Sequence, residues 1–113
     1  MKRWNGSRSG TEHATPLARL SSQRVEELPD DLEAGVLYLV GEGSHLWFVG
    51  MRCPCGCGDN LTVSLVEDSG SFWSISIHRD RTVSIYPSVR RTLGCGSHFN
   101  IKRGRVIWVR GLK

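Results

Sequence analysis

No apolar run in this 113-residue chain approaches the length of a membrane-crossing helix. The start, Met1-Lys2-Arg3-Trp4-Asn5-Gly6, leads into polar residues without the apolar stretch of a secretory signal. A reducing, cytoplasmic setting is therefore expected, with no membrane partner. Long amphipathic helical patterning is also missing, as are internal repeats and a glycine-rich phosphate loop. A helical bundle and a nucleotide-binding α/β unit lose their support. With only three Phe and two Tyr, basic and aromatic residues do not alternate as base stacking requires, which argues against nucleic acid as a partner. The length allows one domain with one modest core.

Acid is missing from the end of the chain. After Asp80 come Arg81, Arg90, Arg91, Lys102, Arg103, Arg105, Arg110 and Lys113, with no Asp or Glu among them. Residues 1–24 carry five basic residues against Glu12 alone. Every other acid lies between Glu26 and Asp80. The simplest expectation is that strands of the two halves interleave and cancel this asymmetry. The alternative is a basic face for nucleic acid or an acidic protein.

Cysteine is scarce, yet it is clustered. Three of the four fall in Cys53-Pro54-Cys55-Gly56-Cys57-Gly58, and the fourth opens Cys95-Gly96-Ser97-His98. Zinc takes four Cys or His ligands in a tetrahedron, and glycine-rich turns let a backbone fold around it. Cysteines two residues apart are poorly placed to bridge each other, and pairing Cys95 with one of the three leaves two over. A bound Zn2+ is expected, held by Cys53, Cys55, Cys57 and Cys95, with His98 as an alternative ligand.

Residues 1–16 are polar and unpatterned and read as a flexible arm; residues 17–113 read as a single β-rich zinc-binding domain. Leu17 to Leu28 suits a strand or a short helix. Val36 to Val40 is apolar on both faces, as in a central strand. His45 to Met51 is aromatic and aliphatic and ends at the first cysteine. Two-residue alternation follows around Leu61–Leu65, Trp73–Ile77 and Val83–Tyr86, and Phe99–Ile101 and Arg105–Val109 close the chain. Trp47, Trp73 and Trp108 are expected in the core, and Pro87-Ser88 at a strand-ending turn. Seven short strands predict a mainly β fold, a small antiparallel sandwich or partly open barrel whose loops are pinned by zinc.

Several segments resemble a family of small bacterial proteins encoded in ubiquitination-like operons. They are Pro29-Asp30-x-Leu32-x-x-Gly35-x-Leu37-Tyr38, Cys53-Pro54-Cys55-Gly56-Cys57-Gly58, Ser84-Ile85-Tyr86-Pro87-Ser88, Gly94-Cys95-x-Ser97-His98-Phe99-x-Ile101 and Gly104-x-Val106-Ile107-Trp108. Where that family's last strand ends in Trp-Cys, this chain has Trp108-Val109. The resemblance implies a deubiquitinase-like peptidase that trims a ubiquitin-like protein or removes it from its conjugates. It also implies neighbours among activating-like and conjugating-like enzymes.

Two chemical arrangements compete for the same residues. In one, four thiolates close a structural zinc site, which leaves Ser97 as nucleophile with a histidine base, His98 first. The amides of Gly94, Gly96 and Ser97 would then bind the oxyanion. Neighbours on an extended strand face opposite ways, so an extended segment would favour Ser88, or His45 or His78, as a partner. In the other arrangement, Cys95 and His98 join one or two cysteines around a catalytic zinc, with Asp59 or Glu67 as base. The thiolate-rich ligand set favours the first. A different class of function, a non-catalytic zinc-stabilised module that docks the ubiquitin-like protein or its conjugation enzymes, uses the same cluster without chemistry.

Overall fold

The computed structural model describes residues 16–66, 72–91 and 94–109. Most of the arm expected over residues 1–16 lies outside them, as does Glu67. Eight strands follow in chain order: β1 (Ser21–Val25), β2 (Val36–Glu42), β3 (His45–Arg52), β4 (Asn60–Ser64), β5 (Ser74–Ile77), β6 (Val83–Arg90), β7 (His98–Lys102) and β8 (Arg105–Trp108). They form two four-stranded sheets, ordered β1-β2-β3-β4 and β5-β6-β7-β8.

The inner faces meet in one core. Leu37, Leu39, Val49, Met51, Leu61 and Val63 come from the first sheet; Val83, Ile85, Val89, Phe99, Ile101 and Val106 come from the second. This is the expected β-sandwich, with sides that do not close into a barrel. On one side the chain turns the corner itself. Val106 donates its amide to Ala18 O at 2.9 Å and Leu20 to Gly104 O at 2.7 Å, before the same segment runs on into β1 of the other sheet. On the other side Trp73 N reaches Ser64 O at 2.8 Å.

One ladder departs from the antiparallel pattern: β1 pairs with β2 in parallel. Parallel neighbours need a crossover rather than a tight hairpin. The connection between them supplies Leu28 and Leu32, which pack on Tyr38, Val40 and Phe48 in a second small cluster. Strand β2 is thereby buried on both faces, as its unbroken apolar run Val36-Leu37-Tyr38-Leu39-Val40 predicts.

Three expectations are corrected. The halves of the chain do not interleave: each sheet is built from one half. Residues 21–64 hold two basic and seven acidic residues, a net of −5, whereas residues 74–108 hold seven basic and one acidic, a net of +6. The charge asymmetry of the sequence is therefore retained in space. Trp47 and Trp108 are not core residues, being 43% and 37% exposed. Alternation placed them on strands, but Trp47 falls where the β2–β3 register shifts between the Val40–Phe48 and Gly41–Leu46 pairs, and Trp108 sits on the last strand, edge-to-face with buried Phe99 at 5.4 Å. Pro87-Ser88 does not end a strand, because β6 continues through both to Arg90.

Candidate functional site

Strand β6 carries an irregularity that aims one serine. Ile85 pairs with Ile101 and Val89 with Phe99, so residues 86–88 stand opposite Asn100 alone. Bulges of this kind accommodate proline, which has no amide to give to the ladder, and they re-aim neighbouring side chains. Val89, Phe99 and Ile101 point into the core. Strand alternation therefore puts Ser88, His98 and Asn100 on the outer face of the second sheet. There Ser88 Oγ lies 2.8 Å from His98 Nε2. The Ser88 carbonyl is held from behind by the Trp73 indole N–H at 3.2 Å. With its ring proton on Nδ1, His98 accepts the serine hydroxyl through Nε2, the arrangement that a general base needs.

Ser97 is turned elsewhere. Its Oγ lies 3.0 Å from Cys95 Sγ and 3.7 Å from Cys53 Sγ. Ser97 and His98 are neighbours in sequence, but β7 is extended from His98 onward, and their side chains serve different surroundings. A second serine–histidine contact joins His78 Nε2 to Ser84 Oγ at 2.7 Å. Ser84 Oγ also accepts the Arg103 amide at 2.9 Å, which ties that hydroxyl into the β7–β8 turn. His45 is exposed at the start of β3, which belongs to the other sheet.

The four cysteines converge from two loops. Cys53, Cys55 and Cys57 lie between β3 and β4, in a turn closed by Cys53 N to Asp59 O at 2.8 Å and Gly56 N to Cys53 O at 3.2 Å. Gly56 adopts φ +93°, a left-handed conformation that only glycine takes without strain. Cys95 lies between β6 and β7, in a loop closed by Arg91 N to Ser97 O at 2.7 Å. All four Sγ atoms fall within 4.8 Å of one another. Cys53 Sγ is 3.4 Å from Cys55 Sγ and 3.6 Å from Cys95 Sγ. A tetrahedron with metal–sulfur bonds of about 2.3 Å has edges of about 3.8 Å, so these thiols need to move little to hold one metal ion. Among the described residues this group comprises the cysteines alone, and the imidazole of His98 is directed to Ser88 instead.

Arg91 flanks the cluster and had no signal in the sequence beyond its sign. Its Nη1 reaches Cys95 Sγ at 3.2 Å, Asp59 Oδ2 at 3.2 Å and Cys57 Sγ at 3.8 Å. Burial works against the Arg91 cation, but the bonds to Asp59 and Cys95 outweigh it and push its pKa upward. Gly94 leaves room for this pair: a Cβ there would stand 2.8 Å from Arg91 Nη2 and 3.2 Å from Asp59 Oδ2. Burial raises the thiol pKa of Cys53, Cys55 and Cys57. Burial also acts to raise Cys95, but hydrogen bonds from Ser97 and from neighbouring thiols bring it down to about 6. The cluster thus favours one thiolate beside a fixed guanidinium.

The sequence model of a protein family described as bacterial ubiquitination-like system serine protease (BubE) matches residues 24–109. The chain belongs to that family. The match takes in both sheets apart from the first residues of β1, and includes the serine–histidine pair and all four cysteines. No curated protein and no solved structure matches the chain. Among the described residues no helix is long and apolar enough to cross a membrane. Membership connects the chain with a ubiquitination-like system and with serine-protease chemistry.

Proposed function

We propose that this chain is a serine peptidase that processes a ubiquitin-like protein or removes it from conjugates, with Ser88 as nucleophile and His98 as its general base. The observation that carries the reading is the 2.8 Å contact between Ser88 Oγ and His98 Nε2 on the outer face of a sheet. In a family described as serine proteases, a hydroxyl needs a base within hydrogen-bond reach, and this pair supplies one. Ser88 Oγ attacks the scissile carbonyl while its proton passes to His98 Nε2. That proton then goes to the leaving amine, and water releases the acyl group by the same path in reverse. The Trp73 indole, bonded to the Ser88 carbonyl, fixes the backbone from which the hydroxyl projects.

In this reading Cys53, Cys55, Cys57 and Cys95 hold a structural zinc. A four-thiolate shell leaves no open coordination position and neutralises the ion, so its contribution is to fix the two loops. Ser97, 3.0 Å from Cys95 Sγ, then belongs to the surroundings of the metal and not to the peptidase chemistry. Asp59, paired with Arg91 at 3.2 Å, is engaged as that cation's partner and not as a base.

The test is cleavage of the neighbouring ubiquitin-like protein carrying a C-terminal extension. Ser88→Ala and His98→Ala should each lower kcat by about a thousandfold or more. Ser97→Ala removes the hydroxyl's contacts with Cys95 and Cys53, each worth about 0.5–1.5 kcal/mol, and should keep its rate within about tenfold. A serine-directed acylating probe should label the peptide that contains Ser88. Ser88→Ala cleaving at the parent's rate overturns the assignment. A parent with no cleavage of this partner hands the function to the non-catalytic docking module.

A further inference from the structure

The outer face that carries Ser88 and His98 is also the basic face of the molecule. Along β7 the residues that share it are His98, Asn100 and Lys102, and Lys102 pairs directly with Arg105 of β8. Like charges opposite one another across a ladder are destabilising. Arg103 stands in the same turn, so three cations occupy four consecutive positions. None of the three forms an ion pair among the described residues; the ion pair found there joins Arg91 to Asp59. Asp80, the lone acid in this half, is bonded to Thr82 and is influenced by Arg103 only through its field. A depression of about 370 Å³ lies between β6 and β7 at the bulge, lined by Ser84, Tyr86, Asn100, Lys102 and Arg103 among others. Tyr86 is 73% exposed beside it.

We infer that this face is the docking surface for an acidic stretch of the polypeptide substrate, and that Lys102 and Arg103 determine specificity by binding a carboxylate side chain about four residues from the scissile bond. The inference rests on the reading of Ser88 and His98 as the working pair. The distance follows from strand geometry. Four residues separate His98 from Lys102 along β7, which is about 13 Å, and an extended peptide lying along the strand covers the same span in four residues. The occupant is a polypeptide because the cations share a face with the peptidase pair. It is acidic because like charges crowded together, with no ion-pair partner among the described residues, are relieved by an anion. The first sheet, with its net of −5, repels the same segment and restricts it to this side.

The experiment uses the full chain carrying Ser88→Ala, so that binding is read apart from cleavage. The probe is a short fluorescein-labelled peptide of alternating Glu and Gly, followed by fluorescence anisotropy at low salt. Matched Lys/Gly and oligothymidylate probes serve as comparisons. The Glu peptide should bind at least about tenfold tighter than the Lys peptide, and binding should weaken as salt rises. Lys102→Glu should weaken it at least about fivefold, whereas Arg24→Glu, the same charge change on the first sheet, should leave it unaltered. Equal losses in the two variants reduce the effect to net charge and overturn the proposal. So does an oligothymidylate that binds while the Glu peptide does not, which gives the face to nucleic acid. Low-salt self-association abolished by Lys102→Glu gives it to a second copy. Because the bait lacks the Ser88 hydroxyl, these outcomes are independent of whether Ser88 is the nucleophile.

Discussion

In the proposed reading, removing the metal held by the four cysteines should cost this fold a large part of its stability, and the topology says why. Cys53, Cys55 and Cys57 belong to the half of the chain that builds the first sheet, and Cys95 to the half that builds the second. One ion bound to all four therefore clasps the two sheets. A ligand present at about a thousand times its dissociation constant stabilises the folded state by about 4 kcal/mol. For a domain near this size each kcal/mol moves Tm by roughly 4–8 °C. Chelation should lower Tm by roughly 15–30 °C, measured by calorimetry with and without chelator. Elemental analysis of protein purified without added metal should give about one zinc per chain. Cys95→Ser should produce a similar loss, yet add little once the metal is stripped, since both changes remove the same clasp. The pH dependence has a fixed sign. Binding requires thiolates, and burial raises three of the four thiols, so metal affinity falls as pH falls. A metal-free protein whose melting is indifferent to chelator refutes the reasoning.

Two further outcomes follow from contacts around the sites. Arg91→Ala removes a guanidinium bonded to Cys95 and Asp59, and should weaken zinc binding about 10–100-fold in a chelator competition, with Arg91→Lys recovering part of the loss. An unchanged affinity would show that Arg91 merely fills space. Trp73→Phe deletes the 3.2 Å bond to the Ser88 carbonyl. It should cost about 0.5–1.5 kcal/mol of stability and lower kcat with little change in KM; equal losses in both would mean that the indole acts on substrate binding instead.

The strands were legible because their alternation is strict. Val36 to Val40 read as a doubly buried strand, and the loop that covers its second face is where the apolar Leu28 and Leu32 lie. The meeting of the cysteine loops was legible too, since ligand types in glycine-rich turns announce what they can hold. The parallel pairing of β1 was not, because the sequence pattern of a strand carries no direction. The partition of charge was misjudged for a related reason: alternation predicts strands but not which strands share a sheet. Ser84-Ile85-Tyr86-Pro87-Ser88 looked like a strand followed by a turn, because a proline ordinarily ends a ladder. A bulge absorbs the proline and lets β6 run on, and that bulge is what presents Ser88 to His98. Arg91 was invisible, since nothing in its spacing distinguishes it from Arg90, the exposed last residue of β6.

The start of β7 joins the cluster to the serine–histidine pair. Cys95, Ser97 and His98 span four positions, and the Arg91 amide clamps Ser97 O just before the strand begins. Because neighbours on an extended segment face opposite ways, Ser97 turns to the thiols and His98 to Ser88. A metal on Cys95 would thus set the position of the base from three residues away without touching a substrate. Inactivation by chelator is then expected of a serine peptidase of this construction, and it does not mark the metal as catalytic. What separates the two cases is whether the activity lost on chelation tracks the loss of folded structure. In a clasp the two fall together, whereas a catalytic ion would be lost from a protein that remains folded.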